Sequence, residues 1–259
     1  MKPKIVAIVQ ARMGSTRLPG KVLKLINGKP MLWYLISRLK NVPGIDDIIV
    51  ATSTNIADNE IERFCVQEHF LVYRGSENVV LDRFYKAATL QEAEHVIRIT
   101  ADCPLIDPSV IQRVIDAYFE NKYDFFAVAT GAGVANKDFS GRFPDGMDAE
   151  IFSYTLLKTA WEQAVDQLHR EHVTPFLWSQ PDRFKIGNLK SNIDYSDLRW
   201  TVDNEEDFSL ISWIYEKLYL IKSSFDMQDV LDLLKQNPEK LNLNQHFIGK
   251  EKYEELWKK

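Results

Sequence analysis

The strongest constraint in this chain is an alternation through its first half. Short, β-branched apolar runs are separated by segments with apolar residues at helical spacing. Residues 5–10 (IVAIVQ) are almost continuously apolar, as a strand buried on both faces must be. Further strands are predicted at 47–53, 71–75, 95–102 and 124–130. Helices fall between them at 30–39, 57–69, 80–92 and 107–121, the first opened by Pro30 and the last by Asp107 and Pro108. Strands and helices of this length in strict alternation imply right-handed βαβ units and a mainly parallel sheet, which binds ligands at the carboxyl ends of its strands near the switch in strand order. The loops after Gln10, Ser53, Arg74 and Thr100 are therefore the first places to seek chemistry.

The second half is less regular. Residues 131–147 are glycine-rich with little apolar periodicity, and a loop of that length inside a compact unit is usually functional or mobile. A strand at 148–152, a helix at 154–164, a helical stretch at 170–178 interrupted at Pro175, strands at 183–189 and 198–203, and helices at 204–219 and 226–240 follow. With no internal repeat or low-complexity linker, the expected organisation is one domain over 1–259, with an inserted acceptor and dimerisation lobe at about 131–190 and a helical tail at about 222–259.

The chain has 259 residues and a net charge of −5, so a polyanion site has to come from a local cluster of cations rather than a basic surface, and nucleic acid is not an expected partner. Cys65 and Cys103 have no metal-ligand spacing, five histidines form no zinc pattern, and both thiols are expected reduced. The first apolar run is too short for a signal peptide or a membrane span, which predicts a soluble, cytoplasmic protein.

The local cation cluster is the loop QARMGSTRLPGK, directly after the first strand. It gathers Arg12, Arg17 and Lys21 around Gly14, Ser15, Thr16 and Gly20: cations to offset phosphate charge and glycines to let the main chain approach phosphate oxygens. It matches neither the Walker A spacing nor GxGxxG, which disfavours a dinucleotide-dependent oxidoreductase. Asp102 and Asp203 each stand at the carboxyl end of a predicted strand, where a carboxylate can hold Mg²⁺ together with phosphate oxygens and water. Taken singly, Asp203 also suits a helix N-cap and Asp102 a turn before Pro104; as a pair beside a phosphate loop they favour the metal. Cys103 has no neighbouring histidine to activate it and reads as a packing residue.

The motifs QARMGSTRLPGK, ATSTN, YRGSENVVLDRF, RITADCPLID, FPDGMDAEIF, REHVTPF and LRWTVDNEEDF occur in this order over residues 5–219. Together they resemble the spore-coat polysaccharide type of cytidylyltransferase, a family related to the CMP-sialate and CMP-Kdo synthetases. The resemblance implies a Rossmann-like, three-layer, GT-A-like α/β fold. It also implies Mg²⁺-dependent transfer of CMP from CTP to a sugar, sugar acid or small phosphorylated or phosphonate acceptor in surface-glycan synthesis, by a homodimer. By position, Arg12 and Lys21 match the triphosphate-binding cations, with Ala11, Gly14, Ser15 and Arg17 in the same loop. Asp102 and Asp203 match the metal ligands, and Gly75, Ser76 and Arg83 fall where the related synthetases read the pyrimidine. Ala101 replaces a glycine typical of the sialate and Kdo enzymes, and its methyl narrows the approach to the nucleotide. Asp145, Asp148, Glu150, Arg170 and His172 are candidates for the acceptor side, with His172 a possible general base or a structural histidine. A GT-A glycosyltransferase is the rival enzyme, but its D-x-D mark is absent from DCP; a silent nucleotide-binding module would be expected to have lost a metal aspartate.

Overall fold

A computed structural model describes residues 2–130 and 140–249; part of the glycine-rich stretch (131–139) and the end of the tail (250–259) lie outside the described residues. In chain order the elements are β1 (Ile5–Gln10), β2 (Leu25–Ile26), β3 (Lys29–Pro30), α1 (Met31–Leu39), β4 (Asp47–Ser53), α2 (Asn59–Gln67), β5 (Leu71–Gly75), α3 (Val80–Leu90), β6 (His95–Thr100) and α4 (Pro108–Glu120). They continue with β7 (Phe125–Val128), β8 (Glu150–Ser153), α5 (Tyr154–Gln163), α6 (Gln167–His172), α7 (Pro175–Trp178), β9 (Ile186–Leu189), α8 (Glu205–Leu218) and α9 (Met227–Gln236).

The large sheet has seven strands in the order β5-β4-β1-β6-β8-β7-β9. β5, β4, β1 and β6 run parallel, as do β7 and β9, so the sheet is mainly parallel as expected. β8 lies antiparallel between β6 and β7, a reversal that periodicity does not show. The chain winds outward from β1 through β4 to β5, then returns to place β6 on the other flank of β1. The strand order thus switches between β1 and β6, and just past their carboxyl ends Ala101 N–H donates to the carbonyl of Gln10 at 3.0 Å.

Each face of the sheet carries its own core. On one, Val9, Ile97 and Ile99 pack with Leu35 of α1, Ile111 of α4 and Ile211 of α8; on the other, Val6, Ile8 and Val96 pack with Phe84 of α3, Leu157 of α5 and Leu177 of α7. Each such fully buried large apolar side chain is worth about 1.5–3 kcal/mol relative to exposure.

Two elements differ from the sequence-based expectation. Residues 198–203 form no named strand, only an isolated bridge between Arg199 and Asp145. Their backbone is satisfied by other loops, with Trp200 N–H donating to Asp145 O at 2.6 Å and Val202 N–H to Asp102 O at 2.8 Å. Gly146 permits this packing: it has φ 99°, and a Cβ there would stand 2.5 Å from the Thr201 nitrogen. In 170–178 the helical stretch breaks at Val173 (φ 70°) rather than at Pro175, which opens α7 at a position where its missing N–H costs nothing.

Candidate active site

The loop after β1 is tied down at both ends. Met13 N–H donates to Asp58 Oδ1 at 2.7 Å, while Asp58 Oδ2 accepts from Ser53 N–H at 3.1 Å and from the Ser53 hydroxyl. One buried carboxylate therefore joins the loop to the end of β4. Ser15 and Gly20 both donate their N–H to the carbonyl of Met13, at 2.9 and 3.0 Å, which curls the loop around one oxygen. Gly20 sits at φ 69°, a left-handed position that favours glycine, and turns the chain into a short 3₁₀ turn beginning at Lys21.

That turn delivers the Lys21 ammonium into a nest of oxygens. It lies 2.9 Å from Asp102 Oδ2, 2.9 Å from Asp203 Oδ1 and 2.6 Å from the carbonyl of Val202. Arg17 adds a second cation at 2.8 Å from Asp203 Oδ1. Burial works against the lysine's charge, but Asp102 and Asp203 outweigh it, so its pKa stands above the ordinary value. For Asp102, burial pushes upward and the lysine's attraction and hydrogen bond prevail, holding the carboxyl at about 2.

Asp203 is held from behind. Its Oδ2 accepts from Arg199 Nη2 at 2.9 Å, and Arg199 also pairs with Asp145 at 2.9 Å and Asp207 at 3.0 Å. Asp207, fully buried at the third position of α8, accepts from the backbone N–H groups of Asp203 and Asn204 at 2.9 and 3.0 Å. It thereby fixes the helix entry just where Asp203 leaves it. Asn204, not Asp203, is the N-cap, so Asp203 is free of the capping role that was its alternative reading.

These residues converge on a cleft of about 310 Å³ at the switch point. Its lining sets the cations Arg12, Arg17 and Lys21 and the carboxylates Asp102 and Asp203 among Gln10, Ser15, Thr16, Val22, Thr100, Ala101 and His172. Among the described residues no group of three or more His, Cys, Asp or Glu side chains is arranged to hold a metal ion. The donor set fits Mg²⁺ even so: that ion usually takes one or two carboxylates and fills its octahedron with phosphate oxygens and water. The Lys21 ammonium acts as a stand-in cation, showing that Asp102 and Asp203 direct oxygens at a common position.

The remaining predicted residues separate into two groups. Ala11 is buried at the loop's start and Gly14 opens outward, with nothing within 4 Å of a notional Cβ. Gly75 ends β5, Ser76 carries a hydroxyl that accepts from Val79 N–H at 3.0 Å, and Arg83 Nη1 donates to the Ser76 carbonyl at 2.9 Å. This cluster does not line the cleft, although Asp58 and Arg12 are near enough to act on Arg83. Burial, joined by repulsion from Arg12, lowers the Arg83 pKa to about 10 against the pull of Asp58 and Glu77, leaving it cationic at neutral pH.

Of the acceptor-side candidates, His172 lines the cleft. Asp145 pairs with Arg199, Asp148 accepts from Thr130 Oγ1 at 2.6 Å and Gly146 N–H at 3.0 Å, Glu150 pairs with Arg98, and Arg170 donates to the carbonyl of Ala164 at 2.8 Å. Cys103 is buried, and burial together with Asp102 and Asp148 pushes its thiol well above the ordinary value, which leaves little thiolate for nucleophilic attack.

Sequence reasoning missed Asp58, Arg199, Asp207 and Thr100. Only Asp207 carried a recognisable signal, the N-x-x-D spacing of a capping box at 204–207. The others depend on partners at least several residues away or on another strand.

A family model for cytidylyltransferases matches residues 6–250. This chain belongs to the cytidylyltransferase family. Spore coat polysaccharide biosynthesis protein SpsF of Bacillus subtilis is 31% identical over 91% of this chain and 95% of its own length. The uncharacterized protein MJ1063 of Methanocaldococcus jannaschii is 34% identical over 98% of this chain and 99% of its own. A cytidylyltransferase structure from Leptospira borgpetersenii superposes with a TM-score of 0.81 at 28% identity, covering 93% of this chain and 97% of that one. The cleft is thus the candidate active site of a nucleotidyltransferase. No described helix of this cytidylyltransferase is long and apolar enough to cross a membrane.

Proposed function

We propose that this cytidylyltransferase transfers CMP from CTP, with Mg²⁺, to a small acceptor and releases pyrophosphate. The observation that carries this reading is the placement of Asp102 and Asp203 around one cation position, beside a loop that presents Arg12 and Arg17 to the same cleft. The acceptor is a sugar, sugar acid or small phosphorylated or phosphonate compound, and the product serves surface-glycan synthesis; likeness to SpsF supports that setting. The working form is a cytoplasmic homodimer, with the 131–190 segment contributing acceptor contacts and the subunit interface.

The expected step is in-line attack of an acceptor oxygen on the α-phosphorus of CTP, with pyrophosphate departing on the opposite side. Such transfers depend on positioning and charge neutralisation more than on a protein nucleophile. Arg12, Arg17 and Lys21 hold the β- and γ-phosphates, Lys21 exchanging its present carboxylate partners for phosphate oxygens. Asp102 and Asp203 would hold Mg²⁺, which supplies charge stabilisation to the α-phosphate and the leaving pyrophosphate. Arg83 with Gly75 and Ser76 reads the base, and His172 faces the acceptor oxygen, where its neutral imidazole can take the proton.

The test is pyrophosphate release with Mg²⁺, offering CTP, UTP, GTP, ATP and dTTP against a panel of sugar, sugar-acid and phosphorylated acceptors. Acceptor-dependent release with CTP alone is the expected result. Preference for another triphosphate would overturn the base assignment, and failure to bind any triphosphate would sink the reading of the cleft.

A further inference from the structure

The wall of the cleft contains a turn that its own sequence disfavours. Val173 is β-branched and fully buried, yet its backbone sits at φ 70°, ψ −59°, a region costly for any residue with a branched Cβ. The turn is closed by Thr174 N–H donating to the carbonyl of His172 at 2.9 Å, an i to i+2 bond. Such a conformation persists only where the surroundings over-determine it.

The surroundings here are specific. Thr174, 1% exposed, donates its hydroxyl to Glu150 and lies 3.1 Å from both carboxylate oxygens. Glu150 Oε2 in turn accepts from Arg98 Nη1 at 2.7 Å. Arg98 and Glu150 are directly opposed across the β6–β8 ladder, so the sheet itself sets where the carboxylate stands. Their side chains are 15% and 9% exposed, and burying a charged pair makes sense only where its geometry is needed or fully compensated. Downstream, Pro175 and the buried Phe176, Leu177 and Trp178 fix α7; upstream, Arg170 Nη1 anchors α6 to Ala164 O at 2.8 Å. The residue that this anchored turn presents is His172, which lines the cleft.

We infer that Arg98, Glu150 and Thr174 are positioning residues, a rigid connection from the sheet through the strained Val173 turn that holds the His172 imidazole in the cleft. The inference revises the expected role of Glu150 from binding the acceptor to orienting the group that faces it. The purpose of the device rests on the transferase reading of the cleft; the placement of His172 does not. The charged groups acting on that ring are Glu171 of α6, Arg98 of β6 and Arg12 of the first loop. Burial foremost, with the two arginines, lowers its pKa below 6.5, while Glu171 opposes them. A ring released from the wall loses that burial, so its titration reports its position.

The experiment follows the His172 imidazole resonance against pH by NMR in the full chain, assigned by loss of the peak in His172→Gln. Thr174→Val removes the hydroxyl at nearly constant volume, Thr174→Ser keeps it, and Glu150→Gln weakens the acceptor should Thr174→Val fail to fold. Thr174→Val and Glu150→Gln are expected to move the His172 midpoint up toward 6.5, with Thr174→Ser holding the unaltered chain's value. With CTP and Mg²⁺ added, nucleotide affinity should change less than about threefold, while kcat with a working acceptor falls at least about tenfold. An unchanged His172 midpoint in both Thr174→Val and Glu150→Gln, or no restoration by Thr174→Ser, would overturn the inference. Absence of CTP binding by the unaltered chain would instead count against the transferase reading and leave the NMR result standing.

Discussion

The two halves of the sheet bring side chains to the cleft by different routes. In the parallel half, the contributors come from the segments that follow their strands: Arg12, Arg17 and Lys21 from the loop and turn after β1, Asp102 from just beyond β6. Such residues need only a strand that ends at the right edge. In the other half, and in the loops packed on it, position is settled by buried carboxylates and arginines, most of them paired across long stretches of chain: Glu150 with Arg98 and the Thr174 hydroxyl, and Asp145 with Arg199, which also holds Asp203 four residues on. The parallel half therefore carries exposed cations, Arg12 and Arg17, on its loop, whereas the other half relies on buried charge. Stability should be sensitive in the second region and ligand affinity in the first.

The largest expected effect tests that difference directly. Arg199 is 1% exposed and answers Asp145, Asp203 and Asp207, so Arg199→Met leaves three carboxylates without their shared cation. Breaking a buried pair from one side costs about 3–5 kcal/mol, to be read from urea denaturation. Arg12→Ala, on the exposed loop, should change stability by less than about 0.5 kcal/mol while weakening triphosphate binding. Equal losses of stability in the two variants would erase the contrast.

Asp203 belongs to both regions, since Lys21 and Arg17 reach it from one side and Arg199 from the other. Asp203→Asn keeps oxygen for Arg199 but removes the charge aimed at the cation position. Turnover should fall about 100-fold or more, the usual consequence of losing one preorganised electrostatic contact, with circular dichroism unchanged. Retention of most activity with Mg²⁺ would show that the carboxylate does not serve the metal.

A smaller effect is expected at Asp58, which joins the loop to β4 without touching the cleft. Asp58→Asn gives up one of its acceptors, at a cost of about 1–3 kcal/mol for the donor left unpaired. The loop then loses preorganisation, so KM for CTP should rise about tenfold, within the same range of free energy, with kcat nearly constant. A fall in kcat at unchanged KM would place Asp58 in the chemistry instead.

The same contrast explains what could be read from sequence. The alternation of strands and helices, the basic loop and Asp102 were legible because each is local: periodicity sets the strand, and the residue follows it. Asp203 was singled out at the end of a predicted strand that does not form, its place being set by loop contacts instead. The antiparallel direction of β8 was not, since a four-residue strand (Glu150–Ser153) carries no direction in its pattern. Nor was the role of Arg199, whose meaning depends on Asp145, a residue 54 positions away that meets it only after folding. The break at Val173 was misplaced to Pro175 for a related reason. Proline is the visible breaker, while the positive φ two residues earlier is imposed by Glu150 and Thr174.

The smallest effect is a pH dependence that separates the two regions by their histidines. His95, at the amino end of β6, and His172, on the cleft wall, both have pKa values below 6.5, chiefly because burial disfavours the imidazolium. Between those folded-state values and 6.5 the unfolded chain binds more protons than the folded one. Both contributions are therefore complete above pH 6.5 and are lost as pH falls through the folded values. A tenfold change in proton affinity corresponds to about 1.4 kcal/mol, so the two histidines should lower Tm as pH falls from about 7 to 5. A triphosphate in the cleft puts negative charge near His172 and none near His95. With CTP present the His172 midpoint should rise and its share of the slope shrink, while His95 keeps its own. Equal movement of both midpoints would mean that nucleotide acts through the fold as a whole, and the cleft wall would lose its separate standing.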